Sequence, residues 1–313
     1  MGLTPLFRLV ANDKDVTKHI AKNLKSISFN DEDGLKSDKI DISVYGDFKR
    51  PQYKDELKLY LYYQEQSKEF YCGLFIVQNS TWNIDSSVTI SATATNFSNS
   101  LKELKNRSFQ KMSMTDIVTQ IGSEQELKIK CDFYDIFYPY KAQSNESDIA
   151  FLGCMAKELN AVYSIKNETI IFLRQDEKST LKTVTIDANN CDGLTIKNSN
   201  KTYYKSATCK YQDTKENKIE TITVGDEKPT YQIQETFTNK SNLEVQAKAK
   251  LTQLNKGVKS GSFKIDGFAI YARSNLRFLN IKQEDDFTYH IDTISHTLDD
   301  SGWNMSVTFS NSN

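Results

Sequence analysis

The chain contains 313 residues, 38% of them hydrophobic, and its 40 Lys and Arg residues nearly balance its 41 Asp and Glu residues. This length and apolar content are enough for two or three globular domains with buried cores. A formal net charge of −1 supplies no field that would hold a polyanion, so the composition argues against nucleic-acid binding as the main function.

The first hundred residues follow the two-residue periodicity of β-strands. Ile40, Ile42 and Val44 alternate with polar residues, which predicts one buried and one solvated face. The pair Asn12–Asp13 predicts a turn after the first strand. Because closure of a sheet removes its exposed edges, we predict a small antiparallel β-barrel over residues 1–100. Its strands are predicted at 7–10, 24–29, 40–44, 57–63, 71–77 and 88–94.

Residues 101–180 change to a mixed pattern of helices and strands. Ser113 and Asp116 have the spacing of a capping box, and Gly122 stands where the following helix would end. Residues 161–173 have the pattern of a β-hairpin. The sequence therefore predicts an α+β middle domain.

A second helix is predicted within Gln143–Leu159. Asn145 is expected to cap it, and Asp148 is expected to return the bond three residues later. Helix capping accounts for these polar residues without a catalytic role. One buried helical face is predicted by the spacing of the apolar residues Ile149, Leu152, Met155 or Ala156, and Leu159.

An aromatic-rich linker lies between the two helices of the middle domain. Its rings could line a carbohydrate groove, although packing beneath a loop is the commoner role of such residues. The five aromatic residues are Phe133, Tyr134, Phe137, Tyr138 and Tyr140.

Residues 181–313 return to β-strand periodicity, with an inserted helix over 241–256. Ser241 and Glu244 form a third capping pair, and Gly257 would end that helix. The last hairpin resembles the hairpin at the end of the first domain in its alternation, although any two hairpins share this feature. We therefore predict a mainly β fold with α+β insertions, in which two similar small antiparallel β-barrels flank a mixed middle domain.

Few residues in the chain have the spacing of a metal or catalytic site. His290 and His296 are predicted to share one face of a strand with Asp292, which could bind a metal, but a structural role for the histidines is the more common outcome. The acidic runs Asp31–Asp33 and Glu284–Asp286 fall in predicted solvated turns. They leave a two-carboxylate hydrolase as an alternative. We predict no catalytic residue, no metal ligand and no cofactor.

The cysteines and the N-terminus bear on the cellular compartment. An odd number of cysteines without a Cys-x-x-Cys pair favours reduced thiols in a protein that folds in the cytoplasm. We expect neither export by a signal peptide nor membrane insertion, since no segment has the required pattern. The cysteines are Cys72, Cys131, Cys154, Cys191 and Cys209.

The second helix carries a resemblance to a known family. The run Gln143-x-Asn145-Glu146-Ser147-Asp148-Ile149-Ala150-Phe151-Leu152 resembles the signature of the phage late control protein D family, the baseplate hub proteins of contractile phage tails, which are related in fold to the hub portion of VgrG. Segments at both ends of the chain match as well, including Phe7-Arg8-Leu9-Val10-x-Asn12 and Ile294-Ser295-His296-x-Leu298. The resemblance marks these residues as a structural signature: Gln143, Asn145, Glu146, Ser147, Asp148, Phe151, Leu152, His296 and Trp303.

The resemblance implies a structural function without enzymatic activity. Such a hub forms a trimeric ring that adapts a six-fold tail tube to a three-fold spike. The implied partners are two further copies of the chain, a tail spike protein supplied as a separate chain, a tail tube or tube-initiator protein, and other baseplate proteins. The implied location is the baseplate of the virion tail, after assembly in the host bacterial cytoplasm. A tail-associated cell-wall hydrolase and a receptor-binding tail module are the alternatives.

Overall fold

A computed structural model describes residues 3–33, 37–46, 49–94, 99–166, 168–174, 182–199, 202–213, 218–237 and 240–311. Strands dominate both ends of the chain, and helices and strands mix in the middle. The predicted mainly β fold class with an α+β middle unit is therefore confirmed. The division into domains at residues 100 and 180 stays a prediction.

In the described residues up to Ala94, the N-terminal part has seven strands and one short helix. In β4, Ile40, Ile42 and Val44 are fully buried while the residues between them are partly exposed, as the alternation predicts. Asn12 and Asp13 join β1 to β2 with φ values of 46° and 60°, which suit the tight turn of a hairpin. The elements are β1 (Pro5–Ala11), β2 (Lys14–Asp15), α1 (Thr17–Ala21), β3 (Leu24–Glu32), β4 (Lys39–Tyr45), β5 (Glu56–Tyr63), β6 (Phe70–Trp82) and β7 (Ser87–Thr93).

The middle unit packs helices against a two-stranded and a three-stranded sheet. Its core is formed by the buried faces of α3 and α4 and by aromatic residues from the strands. The predicted hairpin at 161–173 is present as β11 and β12. The elements are α2 (Asn99–Lys102), β8 (Lys105–Ser113), α3 (Met114–Glu124), β9 (Lys128–Cys131), β10 (Phe137–Glu146), α4 (Asp148–Leu159), β11 (Ala161–Lys166) and β12 (Thr169–Arg174).

The predicted start of α3 is present in the structure, but its predicted end is not. Ser113 Oγ accepts a hydrogen bond from Asp116 N at 3.1 Å, and Asp116 accepts one from Ser113 N at 3.0 Å, so the predicted capping box is present. The prediction that Gly122 ends the helix was wrong, because α3 continues to Glu124. A Cβ atom at Gly122 would lie 2.6 Å from Ile129 Cγ1. The glycine therefore serves close packing against β9.

The aromatic linker is not one loop. Phe133 and Tyr138 are buried in the middle core, whereas Tyr134, Phe137 and Tyr140 are exposed. Residues 137–146 form strand β10, which pairs with β8. The five rings therefore divide between core and surface.

The C-terminal part contains a β unit with an insertion of three strands and a helix. Helix α5 ends at Asn255, and Gly257 follows with φ of 77°, as predicted. The side chain of Ser241, predicted to form a capping box with Glu244, lies outside the described residues. The elements are β13 (Thr183–Asp187), β14 (Asp192–Asn198), β15 (Ser206–Asp213), β16 (Lys218–Val224), β17 (Thr230–Phe237), α5 (Lys240–Asn255), β18 (Lys259–Asp266), β19 (Asn275–Leu279), β20 (Tyr289–Asp299) and β21 (Gly302–Asn311), with short 3-10 helices at Ala188–Asn190 and Gln283–Asp285.

The insertion has a small core of its own. Strands β15, β16 and β17 form a separate sheet, on which Leu243 and Ala247 of α5 are buried. On another side of α5, Val245 packs against the middle core, and Asn242 Nδ2 donates to Phe137 O at 3.0 Å. Helix α5 therefore connects the insertion to the middle unit.

The β units at the two ends of the chain are joined in one continuous sheet. Its strand order is β14-β18-β21-β20-β3-β4-β7-β6-β5-β1-β2, and β19 and β13 extend from β20. Strand β3 pairs antiparallel with β20, which places Phe29 opposite His296. The two β units therefore adjoin each other through a ladder of hydrogen bonds. Their similarity to each other stays a prediction.

The last hairpin completes the N-terminal core. Leu298 and Trp303, at the tip of β20 and β21, are buried in the same cluster as residues of β1 and of β3 to β7. The other half of the hairpin, including Ile291 and Phe309, lies in the C-terminal core. One hairpin thus contributes to two cores.

Candidate functional site

The carboxylate of Asp148 is the centre of a buried polar network beneath the start of α4. Its side chain has no exposed surface. Oδ1 accepts from Arg107 at 2.6 Å and from Gln143 at 3.0 Å. Oδ2 accepts from Lys105 at 2.7 Å and from Gln125 at 3.3 Å. These five residues and Glu124 are called the signature network below.

The charges of the signature network balance. Lys105 and Arg107 bind both Asp148 and Glu124, so two cations face two anions. Burial raises the pKa of Glu124, but hydrogen bonds from Arg107, Gln120 and Lys105 outweigh it, and the net pKa is lowered. The two cations and two amide donors offset the cost of burying the Asp148 carboxylate. The arrangement holds α4 to β8 and α3 and leaves no free carboxylate for catalysis at Asp148.

The predicted cap of α4 was wrong. Ser147 is the N-cap, and its Oγ accepts a hydrogen bond from Ala150 N at 3.3 Å. Asn145 instead adopts φ of 49° at an irregular point of β10, where its backbone N donates to Asn106 Oδ1. The Asp148 carboxylate accepts hydrogen bonds from Lys105 and Arg107 instead of capping the helix. Local spacing alone could not distinguish a capping carboxylate from one held by residues on another strand.

Three further signature residues of this stretch, Gln143, Phe151 and Leu152, make hydrogen-bond or packing contacts within the middle unit. Gln143 is buried and orders the stretch through its amide, which donates to Glu146 O at 3.0 Å and accepts from Arg107 at 2.7 Å. Phe151 stacks on Phe109 with ring centroids 5.4 Å apart. Leu152 is fully buried. The signature therefore encodes the attachment of α4 to the middle unit.

His296 and Trp303 lie at the junction of the two β units. Trp303 Nε1 donates to His296 Nδ1 at 3.2 Å, which assigns the remaining proton of the neutral ring to Nε2. Burial lowers the pKa of His296 to about 3, so the ring is neutral near pH 7. Tyr63 packs against Trp303 with ring centroids 5.2 Å apart. His296 is thus a structural histidine within an aromatic core.

Asp31 and Asp33 tie the N-terminal unit to the segment that connects β18 to β19. Asp31 is buried within β3 and accepts from Ala272 N at 2.7 Å. Asp33 binds Arg273 through Oδ1 and lies 2.7 Å from His290 Nε2 through Oδ2. The prediction that the acidic run Asp31–Asp33 is a solvated turn was wrong, because Asp31 and Asp33 bind groups of the C-terminal β unit.

Asp33 is strongly acidic for a physical reason. Burial alone raises the pKa of its carboxyl, but the hydrogen bond with His290 and the positive charge of Arg273 outweigh burial and hold the pKa well below the usual range.

The second acidic run behaves as predicted. Glu284 and Asp286 are exposed, and Asp285 pairs with Lys259 at 3.0 Å.

The two C-terminal histidines do not share a face. Strand β20 has a register shift between Ile291 and Thr293. Before this shift, the odd-numbered residues Tyr289 and Ile291 face the C-terminal core. After it, the even-numbered residue Ile294 faces that core. A β-bulge of this kind reverses the alternation. His290 and His296 therefore point to opposite sides of the sheet, contrary to the prediction.

Among the described residues, one group of side chains has donor atoms close enough to surround a cation. The donor atoms of Asp33, His290 and Asp292 lie within 4.8 Å of one another. Arg273 already neutralises Asp33, and Lys256 Nζ lies 3.5 Å from Asp292 Oδ1. Because the charges are balanced by these cations, the group fits an ion-paired junction better than a metal centre.

Sequence reasoning missed the cations that complete these clusters. Lys105 and Arg107 are two residues apart on β8, so their side chains lie on one face of the strand. That spacing was the one local signal for a basic pair. Arg273 lies 240 residues from Asp33, and no local pattern connects them.

Comparison with known proteins agrees with this architecture. No protein-family model matches the chain. The probable baseplate hub protein of Escherichia phage 186 is 24% identical over 235 residues, which are 69% of this chain and 58% of that protein. The corresponding protein of Escherichia phage P2 is 24% identical over 234 residues with the same coverage. The chain is similar to phage baseplate hub proteins. The resemblance found in the sequence is confirmed, and the match spans less than two thirds of the length of these curated relatives.

Two solved tail proteins share the hub-like fold along its whole length. The tail protein from Neisseria meningitidis MC58 has a TM-score of 0.70 at 10% identity, covering 98% of this chain and 97% of that one. The 43 kDa tail protein of prophage MuSo2 from Shewanella oneidensis has a TM-score of 0.68 at 12% identity, covering 98% of both chains. At these identities the likeness shows the fold. Of the helices in the described ranges, none has the length and hydropathy of a membrane span.

Proposed function

We propose that the chain is a structural hub protein in the baseplate of a contractile phage tail or of a phage-derived injection particle. The observation that carries this proposal is the similarity to two probable baseplate hub proteins over 69% of the chain. The fold shared with tail proteins over 98% of the chain supports it. The proposed location is the baseplate of the tail, after assembly in the host cytoplasm.

The proposed mechanism is adaptation between two symmetries. A ring of three copies, each carrying two β units, would present six units to a six-fold tail tube and keep three-fold symmetry towards a spike. The ladder between β3 and β20 supports this mechanism, because it holds the two units of one copy side by side. Such a ring needs complementary surfaces and no reacting group. Its proposed partners are two further copies, a tail tube or tube-initiator protein, a spike protein and other baseplate proteins.

Light scattering on the purified chain tests the ring. We expect a mass near three times 35.8 kDa for the chain alone, or a larger complex that contains three copies of the chain after mixing with tube and spike proteins. Electron microscopy of the same sample should then give class averages with three-fold symmetry. A mass of one chain under both conditions would contradict the proposed hub.

The non-enzymatic part of the proposal has a separate test. A cell-wall hydrolase would clear peptidoglycan in zymography, and the exposed carboxylates Glu284 and Asp286 are the acidic pair to replace. We expect no clearing by the purified chain. Clearing that is lost in Glu284→Gln with Asp286→Asn would show that the chain is an enzyme.

A further inference from the structure

A basic cleft lies between the middle unit and the insertion. Its volume is about 400 Å³, and helices α4 and α5 supply most of its walls. Residues of β10 and β17 complete it. The residues that matter here are Lys141, Lys157, Glu158, Ile233, Gln246 and Lys250.

The charge of the cleft is not balanced. Lys141 Nζ binds both carboxylate oxygens of Glu158 at 2.9 Å. Lys157 and Lys250 are exposed, and neither forms an ion pair with a described residue. Three lysines and one glutamate leave two positive charges on the walls. Charges of one sign on the walls of one cleft attract an anionic group more strongly than scattered surface lysines do.

The walls are fixed before any ligand binds. Gln253 Nε2 of α5 donates to the carbonyl oxygen of Lys157 at the end of α4. Asn242 of α5 donates to Phe137 O at the start of β10. These contacts join the two walls. Because the walls are already ordered, binding of a ligand does not have to supply the free energy of ordering them.

The cleft also offers an apolar contact. Ile233 of β17 contributes an apolar side chain to the lining. An extended peptide that alternates acidic and apolar residues can therefore meet both the lysines and this side chain.

We propose that this cleft binds an acidic peptide segment of an assembly partner, with its carboxylates at Lys157 and Lys250. The proposal rests on the proposed function only in taking the segment from a baseplate or tail protein. An acidic peptide fits better than a nucleic acid, because the cleft has only two lysines without an ion-pair partner among the described residues, and a phosphate backbone is held by many such contacts.

Fluorescence anisotropy tests this site on the full chain. The probe is a labelled ten-residue peptide that alternates Glu with Leu, and the matched control peptide carries Gln in place of each Glu. We expect the Glu peptide to bind and its affinity to fall as salt is raised. Lys157→Glu with Lys250→Glu should weaken binding at least about tenfold. Lys248→Glu, an exposed change on α5 outside the lining, should leave the affinity within about twofold.

Four results would overturn the proposed site. Three are absence of binding by the unchanged chain, equal binding of the Gln peptide, and equal losses in the double variant and in Lys248→Glu. Displacement of the peptide by a single-stranded oligonucleotide at equal concentration would also overturn it in favour of a nucleic-acid site. Circular dichroism of each variant separates misfolding from loss of charge. Light scattering on the same samples reports ring formation independently, so failure of the cleft and failure of the hub are distinguishable.

Discussion

His296 lies against Phe29, with ring centroids 5.3 Å apart and 13° between the ring planes. The two residues are also direct partners in the ladder between β20 and β3. A residue near the end of the chain therefore completes a core that begins with the first strands. Folding of the N-terminal β unit should depend on the last hairpin.

Trp303→Ala tests that dependence. The indole is buried between the N-terminal core and the last hairpin, so its loss should lower the free energy of unfolding by roughly 3–5 kcal/mol. Urea denaturation followed by circular dichroism measures the change. Trp82→Ala is the control, because Trp82 is 52% exposed and its loss should change stability by about 0.5 kcal/mol or less. Similar costs for both variants would contradict the shared core.

Asp148→Asn tests the signature network. The change keeps the shape of the side chain but leaves Lys105 and Arg107 without their buried anion, so we expect a loss of about 2–3 kcal/mol in the free energy of unfolding. Partial exposure of the two cations to solvent keeps this loss below that of a fully buried ion pair. Glu158→Gln removes an ion pair whose glutamate is 40% exposed, and it should cost about 1 kcal/mol or less. An Asp148→Asn variant as stable as the unchanged chain would mean that the network does not hold α4.

The acidity of Asp33 predicts a pH dependence of stability. In the unfolded chain this carboxyl has its ordinary pKa of 3.8, and in the folded chain the pKa is lower. Folding therefore favours the ionised form, and its contribution is complete above the unfolded pKa and is lost as the pH falls through the folded pKa. Urea denaturation from pH 6 to pH 3 should show a steeper loss of stability in the unchanged chain than in Asp33→Asn. Parallel curves would show that Asp33 is not stabilised by His290 and Arg273.

Gly122→Ala tests the packing of α3 on β9. Alanine favours a helix by about 1 kcal/mol over glycine, yet the new methyl group would lie 2.6 Å from Ile129 Cγ1. We expect overpacking to dominate and to lower the melting temperature, at a cost of roughly 1–3 kcal/mol. Ser123→Ala, on the exposed side of the same helix, is the control and should not destabilise. A stabilised Gly122→Ala variant would show that β9 moves away without cost.

Much of the local structure was predictable because it depends on neighbours in sequence. The capping box of Ser113 and Asp116 needs a spacing of three residues, and the turn at Asn12–Asp13 needs two residues that tolerate positive φ. The buried face of α4 follows from the spacing of its apolar residues. Helix α5 and its end before Gly257 follow from the same kind of signal.

The sequence could identify residues of the candidate sites, but it could not predict which partners those residues contact. The sequence identified Gln143, Asp148, His296 and Trp303, but it assigned Asp148 to a helix cap. The role of Asp148 depends on Lys105 and Arg107, which are 43 and 41 residues away. The sides of the sheet on which His290 and His296 lie depend on a bulge in β20, and the alternation of residues in the sequence does not predict that bulge.

The sequence by itself determined most strands of the N-terminal unit, the helices α3, α4 and α5, and a resemblance to phage hub proteins. Periodicity and capping are local, so they are encoded wherever the residues occur. Only the tertiary structure decided that β3 pairs with β20 and that Asp33 binds Arg273, since a strand edge or a carboxylate accepts any complementary partner that the fold brings to it. Which partner arrives is set by the packing of the whole chain, because the cores must be filled and the buried charges paired at the same time.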